Sequence, residues 1–559
     1  MLVDVVHDIF GAGGVHVERR LFRETCLCRL PIMLGSRCCH TQHVDDPMEC
    51  RLDQGGYFVV SGGEKVVVAQ EKLHHNTPYV FSVKQPSRFA LQCEIRSCHE
   101  RKLRSTSSLY LYITNAKKGA TPEMVATLPF VNMNVPVLAV FRLLGVETRR
   151  DAMETIVGDS DAEEYRLLSS ILDNDWTADM SVDALYDHIG KEGTRETTRE
   201  RRQRYIDHIV NCEVLPHQGL VRTPEVLRLK ALYLGLMVRK LIRVHIGELQ
   251  CDDRDHLAAK RVDCAGTQFG LLFRQVFRGV HKSLAIRLHR AAEAKKLQFV
   301  NVGSLVAGKK LSQAFRYALA TGNWGIMSAG GTTAQHGVAQ QLACMTIPST
   351  LSLLRKVSTP VARETKNPKP RQLHHTAWGL ICPMDTPEGA ACGLTKSLAM
   401  LAHVRVGTYS TAACEQLELL RRQQLAENDR ATPQPKWRLH TPLESTPAVR
   451  RAGVPVLVNG CLAMYAEDAV AAEALALELR RIRRSGQLPF DTTVARADGC
   501  LFVDTDPGCL MRLLLRVDAL DRLPALLASC PHESLVDQLL SEGVVEYVDK
   551  QEELSLIHI

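Results

Sequence analysis

Residues 351–376 carry six basic side chains, Arg355, Lys356, Arg363, Lys366, Lys369 and Arg371, against one acid, Glu364. Prolines at 360, 368 and 370 hold this stretch extended, so the cations cannot all find partners one helical turn away. Cations left unpaired on an extended loop suit phosphate groups, whose contacts give affinity and position along a polynucleotide but little sequence readout. The competing reading is a loop whose charges face only water.

The loop leads into residues 369–398, KPRQLHHTAWGLICPMDTPEGAACGLTKSL. After Lys369 and Arg371 come a histidine pair (His374, His375), an aromatic-glycine step (Trp378, Gly379) and a turn at Thr386-Pro387-Glu388-Gly389. Gly, Pro, Cys and charge at this density are poor material for one long helix or strand. The stretch is expected to be a shaped, partly buried loop assembly.

Three other clusters bear on chemistry. Cys26, Cys28, Cys38 and Cys39, followed by His40, His43 and Cys50, offer zinc ligands, but the spacers within the two pairs are one and zero residues. Zinc sites usually place about two to four residues between paired ligands, so buried or surface thiols are the favoured reading. Asp252, Asp253, Asp255 and His256 suit a hard cation; the favoured alternative has the acids capping a helix and pairing with Arg254, Lys260 and Arg261. The string Ser61-Gly62-Gly63-Glu64-Lys65 lacks the spacing of a phosphate-binding loop. A Gly-Gly pair between β-rich runs at 57–60 and 65–69 reads as a tight hairpin turn. Two further basic groups read as solvated edges: Arg96, Arg101, Lys102 and Arg104, and the helix end bearing Arg480, Arg481, Arg483 and Arg484.

The elements that must position these residues alternate in type along the chain. Residues 126–146 predict a strand, a turn and a helix starting near Pro136. From 145 to 247 the composition is helical and charged, with Val226, Leu229, Tyr233, Leu236, Met237 and Leu241 on one apolar face and residues 195–204 as an exposed helix surface. Phe269, Leu272, Phe273, Val276, Phe277, Val280 and Leu284 mark a second such face. Residues 417–429 read as a polar helix and 432–447 as a Pro-rich linker. Residues 454–466 read as a strand pair turning at Asn459-Gly460, followed by a helix ending near Gly486.

At 559 residues the chain should hold several domains. Its 45% hydrophobic and 23% charged residues are ordinary for a globular protein. A net charge of +7 over this length does not by itself indicate a polyanionic partner, so local clustering must decide. No apolar run reaches the ~18 residues of a membrane span, and the first residues lack the order of a secretory signal. The 18 cysteines are scattered, which favours reduced thiols inside a cell.

Residues 371–394, of pattern RQLHxTxWGLICPxDTPEGxACGL, resemble the fork region of the second-largest subunit of multisubunit DNA-directed RNA polymerases, most closely the RNA polymerase II type. RLPIML at 29–34, GGYFxxxGxEKVxxxQE at 55–71 and DDRDHxxxKRxDxAG at 252–266 resemble strings of the same family. The resemblance implies an α+β multidomain chain. Its parts would be protrusion at 1–143, lobe at 144–287, a return to the protrusion at 288–322, fork at 323–406 and external domains at 407–553. It also implies DNA-templated RNA synthesis within a nuclear complex, with the largest and smaller polymerase subunits, template DNA, the RNA–DNA hybrid and ribonucleoside triphosphates as partners, and no membrane.

The resemblance further implies Mg2+ held mainly by the largest subunit and a family Zn2+ in a segment beyond this chain, so no residue here is named catalytic. Arg363, Lys366, Lys369 and Arg371 are expected to touch nucleic acid, with Gln372 adding a neutral hydrogen bond at the downstream DNA end. Residues 324–337 align with the first fork loop but carry Ser328, Ala329, Gly330, Gly331 and Gln335 where the family often has lysines and an arginine. Family members begin before Met1 and continue beyond Glu553, so a fragment is expected, inactive alone, with 554–559 (LSLIHI) a non-native tail. The alternatives are a zinc or nucleic-acid-binding scaffold on residues 26–50 and a paralogous subunit of RNA polymerase I or III.

Overall fold

The computed structural model describes residues 1–11, 14–43, 50, 52–101, 106–115, 121–157, 163–173, 175–177, 180–193, 198–294, 300–306, 310–324, 336–428, 437–529 and 535–557. The chain is α+β and forms two compact units. One comprises residues 1–72, 262–373 and 381–400; the other comprises 73–261, 374–380 and 401–559.

In the first unit, strands Phe58–Val60 and Gly63–Val67 form the expected hairpin, extended by Ala339–Gln341 into a three-stranded sheet. Ser61 and Gly62 both take positive φ, 52° and 79°, the turn whose twist matches that of the strands. Helices Ala265–Glu293 and Lys310–Thr321 pack beside this sheet around Leu272, Val276, Phe315 and Leu319. Trp324 Nε1 donates to the Gln268 carbonyl at 3.1 Å and closes that core. Of the apolar face expected on the longer helix, Phe277 lies exposed.

The second unit begins with a five-stranded antiparallel sheet in the order Asn134–Pro136, Met124–Thr127, Ser107–Thr114, Phe89–Ser97, Tyr79–Ser82. Helix Val137–Leu143 starts directly after Pro136, whose ring fixes a helix-compatible φ and has no N–H to leave unpaired. Helix Pro224–Ile246 is capped by Thr223 and ends at Gly247. Tyr233, Met237 and Leu241 are buried as expected, but so are Leu232, Leu234, Val238 and Ile242, so the helix is covered on more than one side. A second five-stranded sheet runs in the order Leu439–His440, Cys461–Ala466, Val454–Val458, Cys500–Asp504, Thr493–Ala497. Its hairpin turns at Asn459-Gly460 as the sequence predicts.

Two expectations about charge are corrected here. The arginines of helix Ala469–Arg484 are not a solvated end: Arg480 and Arg483 are buried. Arg480 Nε meets Glu552 at 3.2 Å, and Arg483 meets Glu552 and Glu546 at 2.8 Å each. Arg481 alone of the four is well exposed. The acids at 252–255 do not cap the helix expected of them, since His256 caps the short turn Leu257–Ala259, and their expected partners mostly lie elsewhere. Asp252 accepts from the Val80 N–H and from Lys240, whereas Arg254 grips Glu94 and only Lys260 pairs locally, with Asp255.

Arg261 belongs to a deeper network. Its Nε meets Asp506 at 2.7 Å and its Nη2 meets Asp504 at 3.2 Å, while Arg405 reaches Asp506 at 2.6 Å. Burial raises the pKa of Asp504; Asp506, although burial pushes it the same way, is held well below the usual carboxylate range by Arg261, His74 and Arg405. Among the described residues, no helix is long and apolar enough to cross a membrane. The expected tail is partly helical, since helix Lys550–Ile557 runs into it.

Buried His217 lies 2.6 Å from Ser97 Oγ, and its Nε2 has no partner among the described residues. Burial, aided by the nearby charge of Lys230, pushes its pKa down to about 3 from the usual 6.5. The folded chain holds the ring neutral while the unfolded chain protonates near 6.5, so stability present above 6.5 is lost as pH falls towards 3. About 2 kcal/mol should go between pH 7 and pH 5 from this group. Urea titrations at the two pH values test this: His217→Gln should flatten the pH dependence, and an unchanged slope would remove His217 as its source.

Candidate nucleic-acid interface

The basic loop hangs between two ordered elements of the first unit. Helix Ile347–Leu354 starts on a capping box, the Thr346 and Ser349 side chains each accepting from the other's backbone N–H. Strand Lys356–Ser358 follows, parallel to Ala69–Leu73 and antiparallel to Thr395–Ser397. Lys396 on the last strand meets buried Glu71 at 2.7 Å, tying two of the strands by charge as well as by backbone. From residue 359 the chain leaves the sheet and becomes the loop.

The prolines do not keep that loop uniformly extended. Pro368 takes a helical conformation and residues Lys369–Arg371 form a single 3-10 turn. This turn aims Arg371 back across the loop: its guanidinium donates to the carbonyls of Ala390 at 2.7 Å, Cys392 at 3.0 Å, Arg363 at 2.7 Å and Thr365 at 3.3 Å. One side chain therefore staples the loop to itself and to the turn at 389–393. The staple needs close approach, and Gly393 provides it, because a Cβ there would sit 2.2 Å from the Arg371 carbonyl oxygen. Thr386 Oγ1 accepts from the Gly393 N–H at 3.0 Å and donates to Thr395 O, fixing the turn from its other side.

Arg355 is committed in the same way, donating to the carbonyls of Leu398, Ala399 and Met400. Lys356 lies on the strand, where its charge helps lower the pKa of Asp385, whose main support is the hydrogen bond from Ser352. The six cations thus divide. Arg355 and Arg371 hold backbone, Lys356 serves the sheet, and Arg363, Lys366 and Lys369 stand exposed, with no ion pair among the described residues. Gln372 is exposed beside them.

Residues 374–380 fold with the second unit, so the stretch from 369 to 398 is not one assembly. His374 is held by Thr376 Oγ1 at 2.6 Å on Nδ1 and by Asp253 Oδ2 at 3.2 Å on Nε2. Fully buried Thr376 also accepts from the Leu257 N–H at 3.0 Å. Trp378 is 76% exposed. The pairing of His374 with Asp253 carries no local sequence signal, being 121 residues apart.

Other expected sites fall out differently. Cys28 and Cys39 are buried while Cys26, Cys38 and Cys50 are exposed, and among the described residues no three ligands of this cluster converge. Among the described residues the metal-ligating side chains that do converge are His74, Asp504 and Asp506. Arg261 and Arg405 already fill that space with positive charge, which does not fit a hard cation. Arg101 is tied to Thr411 at 3.1 Å rather than merely solvated. Lys102 and Arg104, and the first-fork-loop positions Ser328, Ala329, Gly330, Gly331 and Gln335, lie outside the described residues.

The family profile described as RNA polymerase Rpb2, domain 2, matches residues 74–263, and that described as RNA polymerase Rpb2, domain 3, matches 340–404. The chain is 34% identical over 576 residues to DNA-directed RNA polymerase II subunit 2 of Arabidopsis thaliana, covering 99% of this chain and 46% of that protein. It is 33% identical to DNA-directed RNA polymerase II subunit RPB2 of Schizosaccharomyces pombe, covering 94% and 44%. Against the archaeal DNA-directed RNA polymerase subunit Rpo2 of Sulfolobus acidocaldarius it is 30% identical, covering 94% and 45%. The chain spans about half the length of the curated relatives it matches.

Removing the staple should free the loop. Arg371→Ala leaves four carbonyls without their donor, a loss of about 1–2 kcal/mol locally. Limited trypsinolysis should then cut after Arg363 and Lys366 several times faster than in the wild type, and Gly393→Ala should do the same by forcing the turn away. Cleavage rates unchanged in both variants would show that the loop does not depend on this staple.

Proposed function

The chain belongs to the RNA polymerase Rpb2 family, and on that premise we propose that it works in DNA-templated RNA synthesis as the protrusion, lobe, fork and part of the external domains of a second-largest polymerase subunit. Its place is one wall of the DNA cleft, in an assembly with the largest and smaller subunits in a nucleus. The polymerase II type is the better reading than I or III, since the Arabidopsis and Schizosaccharomyces relatives are polymerase II subunits.

The observation that carries the reading is the exposed cation triad on a loop pinned at its base. Arg363, Lys366 and Lys369 contact phosphates of the nucleic acid near the point where the downstream duplex opens, and Gln372 adds an uncharged hydrogen bond. Arg371 acts through the loop it holds. Such contacts position a backbone without reading bases, which suits a machine that must pass every sequence. The chemistry of phosphodiester formation needs divalent metal to stabilise the attacking and leaving oxygens. Those ligands belong to the largest subunit in this reading, and this chain contributes geometry and charge. The family's zinc likewise falls outside it.

Arg363→Ala, Lys366→Ala and Lys369→Ala combined in an assembled polymerase should weaken retention of a downstream duplex. The slope of log affinity against log salt should fall by about 0.9 for each phosphate that is no longer neutralised. An unchanged slope would take the triad off the nucleic-acid surface. The chain alone should incorporate no ribonucleotide on a primed template, and measurable synthesis by it would overturn the assignment of catalysis to a partner.

A further inference from the structure

Four helices of the chain pair an exposed arginine with an acid one turn away: Arg150 with Glu154, Arg204 with Glu200, Arg422 with Glu418 and Arg481 with Glu478. Such pairs steady a helix surface. Helix Ala265–Glu293 does the opposite. Its 29 residues carry Arg274, Arg278, Lys282, Arg287 and Arg290 against one acid, Glu293, at the last position. That acid meets His289 at 3.4 Å. Arg278, Lys282, Arg287 and Arg290 are exposed, with no ion pair among the described residues.

Arg274, Arg278, Lys282 and Arg290 fall on one row of four-residue steps, interrupted by Ile286. At 1.5 Å per residue the row runs about 24 Å, roughly seven phosphate steps of one DNA strand. The helix dipole accounts for Arg287 and Arg290 near the C-terminus but not for the cations at mid-helix. There Arg274 with Arg278, and Arg278 with Lys282, are like charges one turn apart, which weakens a helix. Sequences that break a local rule in this way tend to do so at functional sites.

The composition selects the occupant. The core of a protein interface gathers aromatic and apolar groups and sheds charge, the reverse of this row. A membrane surface needs an apolar face left open on the same helix, whereas here Phe269, Leu272, Phe273, Val276 and Val280 pack into the unit's own core. The backbone of duplex DNA asks for no apolar anchor and repays each cation with released counterions.

We propose that the exposed row on helix Ala265–Glu293, centred on Arg278 and Lys282, is a second and sequence-independent contact for the backbone of duplex DNA. It presupposes a chain that works on nucleic acid, as proposed above, but not the contacts of Arg363, Lys366 and Lys369.

Fluorescence anisotropy of a labelled short duplex with the full chain, across a range of salt concentrations, tests it. Arg278→Gln with Lys282→Gln should lower the slope of log affinity against log salt by about 0.9 per residue, equally for two duplexes of unrelated sequence. Glutamine is a good helix former and the change relieves like-charge neighbours, so thermal unfolding should come no earlier than in the wild type. Acylation of Lys282 in the wild-type chain should slow when saturating duplex is added, a readout that needs no variant. The loop variant Arg363→Ala, Lys366→Ala, Lys369→Ala in the same assay separates the two surfaces. A slope lost there but kept in the helix variant would overturn the helix contact and leave that of the loop, and the converse would spare the helix and remove the loop. Absence of duplex binding at low salt, unprotected Lys282, or displacement of the duplex by polyglutamate at equal charge would each overturn the proposal.

Discussion

A guanidinium removed from water loses stability unless acceptors within the protein replace the water, and in the second unit Arg261 and Arg405 find them. Arg261 and Arg405 are almost wholly buried, and between them engage Asp504, Asp506 and His74. Arg405 adds the carbonyls of Asp491, Asp504 and Asp506. Segments far apart in sequence thereby meet at one point. Breaking one partner of such a buried set costs far more than the net worth of the pair, because the remaining charge is stranded. Geometry here is specified by charge as much as by apolar packing.

The first unit applies the same device nearer the surface. Arg371 and Arg355 serve seven backbone carbonyls between them, and so turn a proline-rich stretch with little regular structure into a shaped loop. That leaves Arg363, Lys366 and Lys369 exposed, with no ion pair among the described residues. Under the proposed function, hydrated charges on a fixed base would lower the ordering cost of meeting a polyanion.

Features set by neighbouring residues were legible in the chain itself. Gly62-Gly63 and Asn459-Gly460 announce hairpins because few residues tolerate positive φ, although the first hairpin turns one residue earlier, at Ser61-Gly62; Pro136 announces the helix after it. The apolar spacing in 226–241 identified a buried helix but not that other sides were covered too, since periodicity reports one face. The roles of the arginines were not legible. Arg480 and Arg483 look like a solvated helix end, yet their carboxylates arrive from Glu546 and Glu552, more than sixty residues later. Arg254 likewise passes over three adjacent aspartates for Glu94. Composition says that a cation is present; only the fold says whether it faces water, backbone or a carboxylate. Arg371 and Lys369, two residues apart, fall on opposite sides of that division.

Glu552 is fully buried and accepts from Arg480, Arg483 and the Val494 N–H, while its own N–H donates to Asp549. During synthesis on the ribosome, the helix bearing both arginines emerges long before that carboxylate. The sheet beside it must wait, incompletely neutralised, until the helix that carries Glu552 clears the exit tunnel. A nascent chain paused upstream of residue 546 would therefore hold both arginines without either of their carboxylates.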